Sequence, residues 1–193
     1  MENTQEVLTR LGALRHGHFR LTSGLHSDSY MQCAALFEHP EESERLCRYL
    51  ADRFRSIGVD VVAGPAIGGV IMAYSVAHAL GARAIFSERE EGKMAFRRGF
   101  SVRPGEKALV VEDVVTTGGS TLEVIGLLHG AGAEVIGVGS IVDRSGGKAV
   151  FGVPFHPLML MNAATWTEED CPLCKKGDPI DKPGSRNFPP TLR

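Results

Sequence analysis

Two adjacent carboxylates and a short run of hydroxyl and glycine residues follow one apolar segment of the chain. Residues 108–120 read ALVVEDVVTTGGS. The carboxylates of Glu112 and Asp113 can accept hydrogen bonds from sugar hydroxyls, whereas the threonine and serine hydroxyls at 116–120 can donate to an anion. Gly118 and Gly119 let backbone N–H groups approach that anion closely. This combination predicts a site for a ribose that bears a phosphate.

The flanking residues predict the elements that would position this site. The apolar run 108–111 favours a buried strand, and the apolar positions of 121–128 recur at helical spacing. The first N–H groups of a helix lack internal partners and lie at the positive end of its dipole, so a loop that enters the helix suits a phosphate. A simpler interpretation is that Glu112 and Asp113 end the strand and cap the helix. The occurrence of all the parts in this order favours the binding site.

A second unit of strand, glycine-rich loop and helix precedes this one. Residues 59–63 predict a buried strand, 64–69 read GPAIGG, and 70–80 predict a helix that Gly81 closes. One loop of this kind is a weak signal. Two such loops at the carboxyl ends of neighbouring parallel strands would face a common crevice, which is where ligands bind in these sheets.

Strands and helices alternate along the rest of the chain. A capping box at 3–6 begins a first helix, and Pro40 begins a long amphipathic helix that runs to Gly58. Further strands are predicted at 82–87, 134–142, 149–153 and 158–161. The alternation predicts an α/β fold, with a mostly parallel central sheet flanked by helices and right-handed crossovers.

Three segments lack a clear period. Residues 17–30 fit either a short strand with a functional loop or a solvated turn, and their small polar residues favour the turn. Residues 88–106 are long for an ordinary connection and suggest a mobile lid or an antiparallel flap, although a solvated hairpin also fits. The proline- and charge-rich residues 167–193 predict an irregular tail.

The composition is that of a globular protein with one domain, or with one domain and a small appendage. The chain has 193 residues, of which 43% are hydrophobic and 23% are charged. The 21 basic and 23 acidic residues nearly balance, which argues against a nucleic-acid partner. No apolar run approaches the roughly 20 residues that span a bilayer, and residues 1–3 open no signal peptide. We therefore expect a cytoplasmic protein without a membrane partner.

The four cysteines do not form a pattern typical of a disulfide framework. Cys171 and Cys174 form one Cys-x-x-Cys pair, which supplies two of the four ligands that zinc prefers. Cys33, Cys47 or a partner chain could complete a set, but a capped turn with reduced thiols is the favoured interpretation. The sequence therefore assigns no metal ligand to the protein.

Residues 110–120 closely resemble the phosphoribosyl-diphosphate motif of type I phosphoribosyltransferases, in which an apolar pair, an acidic pair and a Thr-Thr-Gly-Gly-Ser turn follow one another. Within that family, 19–30 is similar to the Ser-Gly-x-x-Ser-x-x-Tyr segment of the orotate-using branch. Asp143 and Arg144 resemble the Asp-Arg pair of the same branch, and 171–186 looks like the tail of one bacterial and archaeal group within it.

This resemblance extends over about 17–147. It implies a phosphoribosyltransferase domain at 1–165, with a small hood at 1–38, and an irregular tail at 166–193. The implied activity is transfer of ribose 5-phosphate from phosphoribosyl diphosphate to orotate, with release of pyrophosphate, in pyrimidine biosynthesis. The resemblance also implies Mg²⁺ carried with phosphoribosyl diphosphate, and a homodimer.

Roles for individual residues follow from the same resemblance. Asp113 and the lid residue Lys93 are implied as the catalytic residues. Contacts with phosphoribosyl diphosphate are implied for Glu112, Asp113, Val114, Val115, Thr116, Thr117, Gly118, Gly119 and Ser120, for Ala66, Ile67, Gly68 and Gly69, and for Arg89. Contacts with orotate are implied for Ser23, Gly24, Thr116 and Arg144.

The chain departs from the orotate-using branch at two places. Thr22 stands where those enzymes commonly carry lysine, and Glu88 stands where their lid has arginine, in a segment without their lid histidine. Arg97 and Arg98 would restore positive charge there. The alternatives are a purine phosphoribosyltransferase and a non-catalytic regulator that senses phosphoribosyl diphosphate. Arg144 favours orotate, because a guanidinium can pair with the carboxylate of that base.

Overall fold

The computed structural model describes residues 2–183, and the part of the predicted tail at 184–193 lies outside the described residues. The first element, α1, is the helix Thr4–Arg10. It begins with the predicted capping box: the Asn3 N–H donates to Glu6 at 2.8 Å, and the Glu6 N–H donates to Asn3 Oδ1 at 3.0 Å. Val7 and Leu8 bury the apolar side of this helix against the core.

A small three-stranded sheet forms the hood. Strand β1, Leu14–Arg20, pairs antiparallel with β2, His26–Met31, and β2 pairs antiparallel with β9, Thr165–Trp166. The favoured prediction of a solvated turn at 17–30 is therefore wrong. The small polar residues of β2 are buried because they have partners in the sheet: Ser27 is fully buried, and its hydroxyl donates to the carbonyl of Ala164 at 2.8 Å.

The main sheet has six strands in the order β5-β4-β3-β6-β7-β8. All its pairs are parallel except β4 with β5, so the predicted fold class is confirmed. The strands are β3 Val61–Pro65, β4 Arg83–Glu90, β5 Lys93–Phe96, β6 Lys107–Val115, β7 Glu134–Asp143 and β8 Phe155–Leu160. The remaining helices are α2 Pro40–Asp52, α3 Gly68–Leu80, α4 Gly119–Gly130 and α5 Pro172–Lys176, with a 3₁₀ helix at Cys33–Glu38.

Successive residues of the central strands face two separate apolar clusters. Leu109 and Val111 lie in the cluster that includes α2 and α3, whereas Ala108 and Val110 lie in the cluster that includes α4. This alternation is the pattern of a sheet whose two faces are both covered. Gly139 allows the close approach of α2, because a Cβ there would lie 3.0 Å from both terminal carbons of Leu50.

Two predicted segments differ from the structure, and a third agrees with one of its predicted alternatives. Helix α2 ends at Asp52 and not at Gly58, and turns occupy 53–57. Residues 149–153 form no strand, because Phe151 turns inward and packs edge-on against Phe155, with their ring centroids 5.1 Å apart. The segment 88–106 begins as the β4–β5 hairpin, which packs against α4 and agrees with the antiparallel alternative.

Candidate active site

Glu112 and Asp113 lie inside β6, three and two residues before its end, and not at a helix cap. Neighbouring side chains of a strand point to opposite faces. The Glu112 carboxylate accordingly meets α4, where the Thr121 hydroxyl donates to it. Asp113 meets the start of α3, where a Cβ added to Gly68 would lie 2.5 Å from its Cγ. The acidic pair therefore stands between the two glycine-rich loops.

Partial burial makes these two carboxyl groups weaker acids than usual in the free protein. Burial raises the pKa of Glu112 to about 7, against the lowering effect of the Thr121 hydrogen bond. Burial also raises the pKa of Asp113, while a 2.9 Å hydrogen bond from the Val114 N–H acts in the other direction. A ligand whose hydroxyls donate to both groups would favour their ionised forms.

The loop at 116–120 presents helix N–H groups to solvent. Its Gly118 is the N-cap of α4 at φ +80°, a left-handed conformation, and a Cβ there would lie 2.9 Å from the Phe151 ring. Gly118 has no side chain to cap α4, in contrast to the capping box of α1, and the Gly119 N–H makes a long 3.4 Å hydrogen bond to the Thr117 hydroxyl. Thr116 and Thr117 are exposed beside these N–H groups. The arrangement is suited to hold a phosphate.

The loop at 66–69 has the same character. Helix α3 begins at Gly68 and receives no side-chain cap from the described residues. The backbone is held by a 2.7 Å hydrogen bond from the Ala66 N–H to the Ser87 carbonyl, and the peptide bond between Ala66 and Ile67 is cis. The Ile67 side chain is 85% exposed. The N-termini of α3 and α4 thus lie on either side of the acidic pair, which suits a ligand with two anionic ends.

Arg144 lies beside the phosphate loop. Its N–H donates to the Val115 carbonyl at 2.7 Å, directly before Thr116. The preceding residue, Asp143, is buried, and its carboxylate accepts from the Ser145 N–H at 2.7 Å, which fixes the turn after β7. The structure therefore brings Arg144 and Thr116 to the same edge of the sheet, as expected for two residues that share a ligand.

Ser23 and Gly24 are exposed in the loop between β1 and β2. That loop is a tight turn, in which the Gly24 N–H donates to the Leu21 carbonyl at 2.9 Å. Within 2–183, no hydrogen bond joins either residue to the two glycine-rich loops. Their role in binding a base stays a prediction.

The lid cations lie on the β4–β5 hairpin. Arg89 forms two hydrogen bonds with the Glu123 carboxylate on α4, at 2.7 and 3.0 Å, and a third with the Gly92 carbonyl at 2.8 Å. Lys93 is exposed, and it forms no ion pair with any residue of the described chain. Arg89 thus ties the hairpin to α4, whereas Lys93 remains available to a ligand.

Sequence reasoning missed one pair of residues near Cys171 and Cys174. His18 and His26, in the hood strands, lie beside these two thiols. Cys33 and Cys47, which the sequence offered as companions, are buried in the main core instead. Two histidines that flank a predicted loop in a chain with a Cys-x-x-Cys pair were the available signal.

The fold and the crevice define an α/β protein that binds a ribose phosphate, and comparison with known proteins identifies its class. Residues 32–150 match the family model described as the phosphoribosyl transferase domain. An orotate phosphoribosyltransferase of Thermoanaerobacter is 55% identical over 97% of this chain and 98% of its own length. Another, from Thermotoga petrophila, is 58% identical over 95% of this chain and 98% of its own length.

A solved structure agrees with these sequence relatives. The orotate phosphoribosyltransferase of Mycobacterium tuberculosis in complex with inorganic phosphate is 26% identical, with a TM-score of 0.66 over 81% of this chain and 93% of its own. The chain therefore belongs to the phosphoribosyltransferase family, in its orotate phosphoribosyltransferase branch. No helix within 2–183 has the length and apolar character needed to cross a membrane.

Proposed function

We propose that the chain transfers ribose 5-phosphate from phosphoribosyl diphosphate to orotate, giving orotidine 5′-monophosphate and pyrophosphate for pyrimidine biosynthesis. The observation that supports this most directly is the position of the acidic pair, Glu112 and Asp113, between the N-termini of α4 and α3, whose N-cap residues form no side-chain cap. The loop at 116–120 would hold the 5-phosphate and the loop at 66–69 the pyrophosphate. Glu112 and Asp113 would accept hydrogen bonds from the ribose hydroxyls.

The reaction breaks the bond between the anomeric carbon and a pyrophosphate oxygen and forms a bond from that carbon to a ring nitrogen of orotate. Positive charge develops on the ribose ring while negative charge gathers on pyrophosphate. The Asp113 carboxylate lies where it would stabilise the ring, and the N–H groups of 66–69 with Lys93 would stabilise the leaving group. Closure of the β4–β5 hairpin would exclude water, which would otherwise hydrolyse the activated sugar.

Orotate is already an anion at neutral pH, so it needs a cation that positions it more than a strong base. Arg144 would supply that cation, since its backbone is hydrogen-bonded to Val115, next to Thr116. Ser23 and Gly24 would contribute backbone and hydroxyl groups from the hood. An Arg144→Gln variant should raise KM for orotate at least about tenfold through loss of a charged pair, with little change in KM for phosphoribosyl diphosphate.

The site also fits Mg²⁺. That ion prefers oxygen ligands and keeps substrate phosphates and water in its shell. Carboxylates that orient the ribose hydroxyls would leave those hydroxyls and the pyrophosphate oxygens in position to complete an all-oxygen set, with no further protein ligand required. When bound, the ion supplies neutralisation of the pyrophosphate charge.

The domain organisation and the assembly belong to the same proposal. The catalytic domain would comprise 1–165 with the hood at 1–38, and 166–193 would be a tail.

A homodimer is supported by Ile67, Ile71 and Tyr74, which are 85%, 43% and 70% exposed at helical spacing from the start of α3. Sedimentation should give a dimer for the wild-type chain and a monomer for Tyr74→Asp. The free thiols and the phosphorylated substrate support a cytoplasmic location.

Steady-state assays with orotate, adenine, hypoxanthine and xanthine test the activity. Of these four bases, we expect only orotate to give pyrophosphate release from phosphoribosyl diphosphate. Turnover of a purine without turnover of orotate would contradict the proposal in favour of a purine enzyme. Tight binding of phosphoribosyl diphosphate without pyrophosphate release on any base would instead indicate a regulator.

A further inference from the structure

Four side chains with metal-binding atoms meet where the hood contacts the C-terminal segment. His18 lies on β1 and His26 on β2, and Cys171 and Cys174 flank the start of α5. Their ligand atoms all lie within 4.8 Å of one another. These residues come from three separate elements and belong to no part of the ribose-phosphate crevice described above.

Four of the six distances among these ligand atoms lie close to the edges of a tetrahedron around zinc, and the other two are at most 4.8 Å. Bonds of about 2.3 Å to sulfur and about 2.0 Å to nitrogen give edges of about 3.3 Å between nitrogens and about 3.5 Å between nitrogen and sulfur. His18 Nε2 lies 3.0 Å from His26 Nδ1 and 3.5 Å from the Cys171 sulfur. The Cys174 sulfur lies 3.6 Å from His18 Nε2 and 3.2 Å from His26 Nδ1.

A backbone carbonyl fixes the tautomer of one histidine. His18 Nδ1 lies 2.9 Å from the carbonyl oxygen of Asp178. A carbonyl only accepts hydrogen bonds, so Nδ1 bears the proton and the lone pair of Nε2 points at the other three ligand atoms. A metal-binding histidine usually has this kind of support from a backbone or carboxylate oxygen on its second nitrogen.

Burial and the state of the thiols agree with a closed structural site. Cys171 is fully buried, and His18 and His26 are 6% and 2% exposed. Both cysteines are free thiols and not a disulfide. Cys174 is partly buried. Two nitrogen and two sulfur ligands are typical of zinc, and four protein ligands are typical of a structural site.

We propose that His18, His26, Cys171 and Cys174 bind one zinc ion, which holds the C-terminal segment against the hood. The surrounding backbone already joins the two parts: the Asp181 N–H donates to the His18 carbonyl at 2.8 Å, and the Arg20 N–H donates to the Asp181 carbonyl at 2.8 Å. The two histidines also stand on either side of the 21–25 turn. The ion would therefore stiffen the base of the turn that presents Ser23 and Gly24.

The metal content of the wild-type chain tests the proposal directly. The full chain is purified without an affinity tag and without chelator, and its metals are measured by mass spectrometry. We expect about one zinc per chain. Replacement by Co²⁺ should give the visible absorption of tetrahedral cobalt together with thiolate-to-cobalt charge transfer. Less than about a tenth of an equivalent, with no uptake of added Zn²⁺ or Co²⁺ and no gain in Tm, would overturn the proposal.

Matched variants assign the ligands. Cys174→Ser and His26→Ala should each lower zinc affinity at least about tenfold, whereas Cys47→Ala and the exposed His16→Asn should keep the full zinc content. A chelator should lower the Tm of the wild-type chain by about 5 °C or more. The cobalt spectrum of the wild-type chain decides the proposal even where a variant does not fold. Loss of two free thiols to a disulfide in the untreated wild-type chain would contradict it.

The consequence for the base-binding turn rests on the proposed function and has its own measurement. Zinc removal should raise KM for orotate several-fold more than KM for phosphoribosyl diphosphate. If zinc binds and KM for orotate does not respond, the site is structural without an effect on the turn. If the chain has no orotate activity at all, the zinc content and the cobalt spectrum still stand as independent results.

Discussion

The Asp113 carboxylate lies directly against Gly68, so that a Cβ at Gly68 would be 2.5 Å from Asp113 Cγ and Oδ2. The strand proposed to supply the ribose contacts is thereby in contact with the loop proposed to hold pyrophosphate. A substitution in the loop at 66–69 should therefore alter the position of Asp113 on β6, and this should be measurable in the kinetics.

Gly68→Ala should impair activity more than stability. The new methyl group meets the end of a side chain, which can rotate, so the fold should tolerate it, but Asp113 must leave its position. We expect kcat/KM for phosphoribosyl diphosphate to fall at least about tenfold, because interactions that depend on placement are lost with small shifts. Gly126→Ala is the matched control, since a Cβ there meets nothing within 4 Å. Equal activity of both variants would contradict the proposed role of this contact.

Asp113→Asn should lower kcat by at least about an order of magnitude while the fold is retained. The amide keeps the shape of the carboxylate but removes the negative charge that faces the ribose ring. Burial raises the pKa of Asp113, so removing its charge should not lower the Tm. Steady-state kinetics and a thermal melt of the same preparation check this. An unchanged kcat would mean that Asp113 has no electrostatic role.

Glu112 should make the free protein less stable as the pH rises towards neutrality. Its pKa is about 7 in the fold and about 4.5 when unfolded, so the folded state binds the additional proton between these values. Stability from this group is thus fully present below about pH 4.5 and is lost as the pH rises through about 7, by about 3 kcal/mol in all. Urea unfolding of the wild type and of Glu112→Gln across that range should show the difference.

The same titration should affect binding in the opposite sense. Ribose hydroxyls donate to the ionised carboxylate, so affinity for phosphoribosyl diphosphate should rise with pH through about 7. The Glu112→Gln variant should lack that rise. A wild-type binding curve without pH dependence between about pH 5 and about pH 8 would contradict the assignment of Glu112 to the ribose.

Variants of Arg89 and Glu123 test whether the β4–β5 hairpin contacts pyrophosphate. If Arg89 only ties the hairpin to α4, Arg89→Ala and Glu123→Ala should have equal effects that do not add in the double variant. If Arg89 also contacts pyrophosphate, Arg89→Ala should raise KM for phosphoribosyl diphosphate several-fold more than Glu123→Ala. We expect this unequal result.

Lys93 is the second cation of the hairpin. We expect Lys93→Ala to lower kcat more than Arg89→Ala does. Wild-type kinetics in the Lys93 variant would exclude it as the lid cation.

The sequence was sufficient to predict the parts of the fold that depend on local pattern. The run of apolar residues before Glu112 and the helical spacing after Ser120 predicted β6 and α4, and the glycines at 68 and 69 predicted the second loop. These signals are strong because β3 and the apolar run of β6 are buried on both faces, and the buried positions of α4 recur at helical spacing.

The features that sequence reasoning missed depend on contacts between distant residues. Ser27 of β2 is polar and small, and it is buried only because Ala164 and the β9 strand supply partners more than a hundred positions later. Phenylalanine is common in strands, which favoured a strand at 149–153. Phe151 instead packs over Gly118, and no strand forms there. The sequence positions of His18 and His26 do not match a recognisable metal-binding motif. The β1–β2 hairpin and α5 bring them together with the two cysteines only in the fold.

The partner strand and the ion pair that complete the hood come late in the chain. Arg15 and its partner Asp181 are 166 positions apart, which corresponds to about ten to thirty seconds of ribosomal synthesis. The parallel strands β3, β6 and β7, and with them the crevice for the sugar phosphate, emerge well before that. During translation the nascent chain should therefore acquire its sugar-phosphate crevice first, and the β1–β2 hairpin should remain an open sheet edge until the final segment leaves the ribosome.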